Sequence, residues 1–352
     1  MDLLVKRDDL RTTRFVDEPA PEPGSGEARL VVERFALTAN NITYAVFGDL
    51  MGYWQFFPTE PGWGRIPVWG FATVDASTVA TLPVGERFYG YFPMASHLVV
   101  TPDRIGPSGF VDAAPHRAGL PPVYNHYTPV GRETTPDDDA FAALFRPLFT
   151  TSFLIDDWLD EQSFFGATQV VIGSASSKTA LGLAQVLSDR RDCRVVGLTS
   201  PANAEFVERV GYYDAVVAYG ALAGEPSDVP TVFVDMAGDA VVLAEVHEHY
   251  ADRLAHSCRV GATHWEEVAF DVTVPGPEPV MFFAPDRVEQ RRKDWGPGGL
   301  EDRVGAAMAE FIESARGWMT ITEGHGEAAV GAAYLDVLEG RARPDEGIIL
   351  SL

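Results

Sequence analysis

Short apolar, β-branched runs alternate with amphipathic stretches through the second half of the chain. Val170-Val171-Ile172 opens the clearest unit. It turns through Gly173-Ser174-Ala175-Ser176-Ser177-Lys178-Thr179 and runs into Ala180–Leu187, where Leu183, Val186 and Leu187 recur at helical spacing. Arg194–Leu198 reads as the next strand and Ala202–Val210 as a helix, with Gly211 as its C-terminal cap. Ala215–Tyr219 is a third strand. Thr231–Met236 is a fourth, with Asp239–Tyr250 as its helix. Leu254–Gly261 is a fifth and Val280–Ala284 a sixth. Strands alternating with helices predict a mostly parallel, doubly wound sheet, and an α/β fold class.

The first half has a different rhythm. Ala28–Leu37, Ile66–Val74, Phe88–Tyr91 and Ser96–Val100 are short strand patterns separated by Pro- and Gly-rich turns, which predicts a compact β-rich domain. Between Ile105 and Asp139 the pattern fails, and a long irregular loop is expected. From Ala140 a helical pattern takes over, through Phe141, Leu144, Phe145, Leu148, Phe153, Leu154, Trp158 and Leu159.

A strand, a tight turn of small residues and a helix make a seat for a phosphate. Turn amides and the helix N-terminus supply donors and partial positive charge, and Ser, Thr and Lys178 add to them. The turn departs from a G-x-G-x-x-G fingerprint, because Ser176 and Thr179 stand at the later glycine places. A buried crossover without ligand stays open as the other reading. In a doubly wound sheet, ligands bind beyond the carboxyl ends of the strands. Those ends are Gly173, Thr199, Tyr219, Asp235 to Gly238, and Gly261.

Composition narrows the partners. A chain of 352 residues is long enough for two domains. A net charge of −24 argues against nucleic acid and anionic membranes as partners. Two cysteines, Cys193 and Cys258, cannot build a disulfide framework or a four-thiolate zinc lobe. Met1 opens no charged-then-apolar signal and no apolar run is long enough to span a bilayer, so a cytoplasmic protein is expected.

Several segments resemble the medium-chain dehydrogenase/reductase superfamily, in its zinc-free quinone oxidoreductase and enoyl reductase branch. Leu82-Pro83-Val84-Gly85-Glu86-Arg87-Phe88-Tyr89-Gly90 is similar to the family's VGDRVFG turn. Ala95–Arg104 is similar to its AEYVVVPADR segment, and Val337-Leu338-Glu339-Gly340-Arg341 with Gly347-Ile348-Ile349-Leu350 to its closing LLEGR…GKVVL. Tyr124 to Asp157, with the Ser-Ser-Lys-Thr turn, also resembles an uncharacterised subfamily of that fold. The resemblance implies a β-rich, GroES-like catalytic domain from residues 1–140 and 317–352. It implies a Rossmann-type nucleotide-binding domain at 141–316, with a cleft between the two. Where zinc-binding relatives read Gly-His-Glu this chain has Gly70-Phe71-Ala72, and it has no upstream cysteine, so no metal is expected. His247 and His249, two residues apart on a helix, share no face and read as surface residues.

The resemblance also assigns roles. The second strand ends in Leu198-Thr199-Ser200-Pro201, with no carboxylate before Glu205 to bind an adenosine ribose, so NADP(H) is the expected cofactor. Tyr219 matches a tyrosine that contacts the adenosine end, and Asn203 stands where some relatives place a phosphate-binding lysine. The expected cofactor-binding residues are Asn41, Gly173, Ser174, Ser176, Ser177, Lys178, Thr179, Thr199, Ser200, Tyr219, Asp235 and Gly261. Tyr44, in a match to a TYxxxG segment, and Tyr53 are the candidate catalytic proton donors, since a phenol stays protonated at neutral pH. Trp54, Phe57, Tyr124, Asn125 and Tyr127 are candidate substrate-binding residues, an aromatic set with a few polar tips. Two functions stay open. One is a zinc-independent, NADP(H)-dependent reductase of a small apolar or aromatic enone, enoyl or quinone substrate. The other is a catalytically silent relative binding a small molecule or partner in the same cleft. A homodimer is expected through the Val280-Met281-Phe282-Phe283 edge.

Overall fold

The computed structural model describes residues 1–131, 133–188, 190, 193–261 and 273–352. The chain divides into two compact units. One comprises Met1–Leu144, Thr320–Ala342 and Glu346–Leu352, the other Phe145–Met319 and Arg343–Asp345.

The first unit opens with strands β1 (Asp2–Lys6), β2 (Asp9–Val16) and β3 (Ala28–Leu37), then helix α1 (Ala39–Val46). Strands β4 (Trp63–Gly64), β5 (Pro67–Ser77), β6 (Arg87–Pro93) and β7 (His97–Val100) follow. Next come β8 (Pro102–Gly106), β9 (Gly109–Asp112) and β10 (His126–Pro129). These last three correct the expectation of an irregular loop from Ile105 to Asp139. Each is short and weak in local propensity, and each forms because a neighbour in the sheet supplies its pairing: β8 with β9, β9 with β10, and β10 with β6. Helix α1 was likewise not legible as a helix in its run of Asn and Thr.

Helix α2 (Pro136–Glu161) leads the chain into the second unit. There the order is β11 (Gln169–Ile172), α3 (Lys178–Ser188), β12 (Arg194–Thr199), α4 (Ala204–Val210) and β13 (Ala215–Ala218). Then come β14 (Thr231–Asp235), α5 (Ala240–Tyr250), β15 (Leu254–Arg259), β16 (Val280–Met281), α6 (Ala284–Trp295) and α7 (Gly299–Ala315). The six strands form one parallel sheet in the order β13-β12-β11-β14-β15-β16. Both faces are covered, so β11 and β14 are buried along their whole length and read as continuous apolar runs rather than alternating ones. The sixth strand is shorter than expected because α6 begins at Ala284, with a proline in its first turn.

The last elements, β17 (Thr320–His325), α8 (Gly326–Leu338) and β18 (Glu346–Ser351), belong to the first unit. There β18 pairs with β3 in a sheet ordered β17-β18-β3-β5-β6-β10-β9-β8. Gly70 permits the close approach of β5 to β3, since a Cβ there would lie 2.2 Å from the Arg34 carbonyl oxygen.

His247 is not a surface residue. It is fully buried, with Nδ1 at 2.7 Å from the Pro275 carbonyl oxygen and Nε2 at 2.8 Å from Ser257 Oγ. The packing of α5 onto the sheet turns it inward, which the spacing to His249 could not reveal. No helix among the described residues is long and apolar enough to cross a membrane.

Candidate functional site

In the second unit the turn after β11 is held by its neighbours. Gly173 N donates to Val234 O at 2.9 Å and Ala175 N to Leu198 O at 2.8 Å, tying the turn to β14 and β12. Ser174 takes a left-handed backbone conformation, φ +51°. Ser177 caps α3: its Oγ accepts from Ala180 N at 3.3 Å and its carbonyl from Leu181 N at 2.9 Å. The first turn of α3, at Lys178 and Thr179, follows directly. Two other groups of the turn are engaged within the unit. Tyr219 Oη accepts from Ser174 N at 3.0 Å, and Asn203 Nδ2 donates to Ser176 Oγ at 3.0 Å. Burial pushes the Tyr219 phenol up to about 12, so it stays neutral.

The neighbouring strand ends differ from one another. Thr199, 1% exposed at the end of β12, has a buried hydroxyl with no hydrogen-bond partner among the described residues. Ser200 follows it, half-buried. Asp235, at the end of β14, is fully buried, and its Oδ1 accepts from Ala237 N and Gly238 N, both at 2.9 Å. Its carboxylate therefore builds its own turn, and Oδ2 lies 4.0 Å from Arg259 Nε. Burial raises its pKa to about 6. Gly261, past the end of β15, approaches the Met236 carbonyl: a Cβ there would lie 3.1 Å from that oxygen.

Asn41 lies in the first turn of α1. It sits in the first unit, where its Oδ1 accepts from Thr38 N and its Nδ2 donates to Pro67 O, both at 2.8 Å. Both ends of the amide are used to start α1 and tie it to β5, which gives Asn41 a structural role in the first unit.

The first unit gathers phenols. Tyr44 from α1, Tyr53 from a single 3-10 turn (Tyr53–Gln55) and Tyr124 from another (Pro122–Asn125) come together with Trp69 of β5 and Tyr91 of β6. The Tyr44 and Tyr53 ring centres are 4.7 Å apart, and the Tyr53 and Tyr124 hydroxyls 3.3 Å. Trp69 Nε1 donates to Tyr44 Oη at 3.2 Å. Burial holds Tyr44, Tyr53 and Tyr124 above the ordinary phenol range. All three are therefore protonated at neutral pH and able to donate.

The other expected substrate residues take different places. Trp54 is wedged between glycines: a Cβ on Gly48 would lie 2.1 Å from its Nε1, and one on Gly64 2.4 Å from its Cε3. Tyr127 stacks on Phe110 at 4.9 Å and donates to the Tyr91 carbonyl at 2.8 Å, so it is a core residue of β10. Asn125 Oδ1 lies 3.4 Å from Arg117 Nη1. Phe57 lies at the edge of the phenols, 5.9 Å from the Tyr91 ring, and carries the Arg117 guanidinium at 4.9 Å on its other contact.

Besides Trp69, sequence reasoning missed three members of this region. Arg117 and Asp112 form a buried ion pair at 3.0 Å, each side chain 1% exposed. Nothing in an irregular stretch signalled it. Tyr91 was legible in principle, since strand alternation through Phe88-Tyr89-Gly90-Tyr91-Phe92 puts both tyrosines on one face. Among the described residues no group of three or more His, Cys, Asp or Glu side chains could hold a metal ion.

The fold is similar to that of solved quinone oxidoreductases and enoyl reductases. CurA from Vibrio vulnificus is similar over 96% of this chain and 93% of its own, with TM-score 0.64 and 13% identity. CurA in complex with NADPH gives TM-score 0.62 at 14% identity, over 97% of this chain and 93% of that one. The quinone oxidoreductase from Thermus thermophilus, also determined in complex with NADPH, is similar over 100% and 99% of the two chains, with TM-score 0.57 and 16% identity. No curated protein matches the sequence. The family model described as "Protein of unknown function (DUF2855)" matches residues 35–343, and the chain belongs to that family.

Proposed function

We propose that the protein is an NADPH-dependent oxidoreductase that reduces an uncharged, flat or apolar enone, enoyl or quinone compound without zinc. One observation carries the reading. The small-residue turn Gly173–Ser177 joins the carboxyl end of a parallel strand to the N-terminus of α3, where amides and the helix dipole favour a phosphate. The Thr199 hydroxyl, buried with no partner among the described residues, suits a sugar or phosphate oxygen at the next strand end. NADPH would rest on Gly173, Ser174, Ser176, Ser177, Lys178, Thr179, Thr199, Ser200 and Tyr219, and when bound it supplies a hydride. The neutral phenols Tyr44 and Tyr53 hold protons that a carbonyl-conjugated substrate needs. The similarity to folds determined with NADPH supports the cofactor choice.

The test is a thermal melt with NADPH and with NADH. A ligand at 100 times its Kd stabilises by about 2.7 kcal/mol, a rise of several degrees for a domain of this size. NADPH raising Tm more than NADH is expected; silence from both removes the reading. Tyr44→Phe and Tyr53→Phe should lower turnover with NADPH binding near wild type, because a lost proton donor acts on the transition state. Elemental analysis should find no stoichiometric zinc.

A second reading, a silent small-molecule binder, is favoured by the engagement of Ser174 N and Ser176 Oγ within the protein. NADPH binding without reduction of any enone or quinone would select it. We also propose a homodimer through β16, an edge strand whose Val280 is 51% exposed. Light scattering at micromolar concentration reads that directly, and a monomer rejects it.

A further inference from the structure

Among the clustered phenols one differs. Tyr53 and Tyr124 meet hydroxyl to hydroxyl, and Tyr44 accepts from Trp69. Tyr91 is 0% exposed, and its hydroxyl has no hydrogen-bond partner among the described residues. Buried polar groups without a partner are exceptions in native structures and call for an explanation.

The side chain is firmly held. Tyr91 pairs with Trp69 across β5 and β6, and its carbonyl is fixed by the Tyr127 hydroxyl at 2.8 Å. Gly90 admits the Tyr127 ring beneath the strand, since a Cβ there would lie 2.4 Å from Tyr127 Cδ1. The ring is packed by Tyr124 at 4.7 Å, Trp69 at 4.9 Å, Phe56 at 5.4 Å and Tyr44 at 5.5 Å. Burial, and then the nearby phenols Tyr44, Tyr124 and Tyr53, push its pKa well above the ordinary phenol range. The hydroxyl is thus proton-bearing and able to donate, on a ring that its neighbours hold in place.

The surroundings define what could accept from it. The walls are aromatic rings and neutral phenols. The charged pair beside them, Arg117 and Asp112, is self-neutralising. Because that pair is neutralised internally, neither an anionic ligand nor an amine meets a net opposite charge there. A neutral oxygen on a flat apolar skeleton fits both the walls and the donor. We propose that Tyr91 is a substrate-binding residue whose hydroxyl donates to the carbonyl oxygen of a flat, uncharged ligand held among Tyr44, Tyr53 and Tyr124. This deepens the reductase reading and rests on it for the identity of the substrate class.

The probe is menadione, with 2-methylnaphthalene as the matched ring system without carbonyls. Binding to the full chain is measured by calorimetry, and the carbonyl stretch of 13C-labelled menadione by difference infrared spectroscopy. Wild type should bind menadione with a red-shifted carbonyl band. Tyr91→Phe should weaken that binding about tenfold, the effect of one hydrogen bond, and remove the red shift, while 2-methylnaphthalene binding stays the same. The free variant should melt at or above the wild-type temperature, because the hydroxyl it loses bonds to nothing among the described residues. Equal menadione affinity and band position in the two proteins overturns the proposal. So does a wild type that binds no menadione. A variant that melts lower while binding menadione unchanged also overturns it, marking a structural water site. An NADPH melt on the same sample separates the two readings. Menadione bound with no nucleotide response sinks the reductase reading and leaves Tyr91 as assigned; a nucleotide response with no menadione bound does the reverse.

Discussion

The Tyr219 hydroxyl accepts a hydrogen bond from the Ser174 backbone N–H at 3.0 Å, joining the end of the third parallel strand to the turn after the first. It satisfies an amide in a turn whose Ser174 is left-handed. Tyr219→Phe removes that acceptor and should cost about 1 kcal/mol. Hydrogen exchange at Ser174 should quicken by roughly the tenfold that such an energy implies. Unchanged exchange would show that the contact does not hold the turn.

Asp235 makes the second unit sensitive to pH. Burial raises its pKa from 3.8 to about 6 in the folded state. Between those values the folded state binds more protons than the unfolded one, so stability falls as pH rises. A tenfold difference in proton affinity between the two states is worth about 1.4 kcal/mol, so roughly 3 kcal/mol is lost between about pH 4 and pH 6. Asp235→Asn keeps an oxygen for Ala237 N and Gly238 N and removes the titration. Urea melts across this window should show a downward slope in wild type relative to the variant. Parallel profiles would reject the assignment.

Arg117 and Asp112 should behave as a pair. Asp112 Oδ1 also accepts from Thr101 N and Ala114 N, both at 3.0 Å, so the carboxylate cannot leave the interior when its cation goes. Arg117→Leu is therefore expected to cost about 3–5 kcal/mol. The double variant Asp112→Asn with Arg117→Leu should recover a large part of it, because no charge is then buried. If the double variant is as unstable as the single one, packing of the guanidinium on Phe57 outweighs charge. Urea denaturation reads both.

Gly48 and Gly64 form the slot for Trp54. Gly64→Ala would set a methyl group 2.4 Å from the indole and should cost about 1–3 kcal/mol through overpacking. Trp54→Leu in the same chain should relieve part of that loss. If Gly64→Ala melts like wild type, the slot is wider than the contacts imply.

What the sequence determined by itself is the part that local periodicity encodes. Apolar runs of four to six residues alternating with helical spacing specify a buried parallel sheet, because a strand covered on both faces must be apolar throughout. The turn at Gly173–Ser177 was legible for the same reason: a strand, small residues and a helix N-terminus follow one another in the chain. Pairings over long separations were decided only by the tertiary structure. β8, β9 and β10 exist because each is offered a partner, which residues 105–139 do not announce. The bond from Asn41 to Pro67 spans 26 residues and belongs to the packing of α1 on β5. His247 looked exposed until Ser257 and Pro275 faced it. Trp54 and Tyr124 looked alike as aromatics in polar company, yet one fills a glycine slot and the other meets Tyr53 across 71 residues of chain. A side chain's type fixes which bonds it can make, and its neighbours in the chain fix which way the backbone points it. Which atom it finally meets depends on the register of strands far apart in sequence, and that is set only when the whole sheet closes.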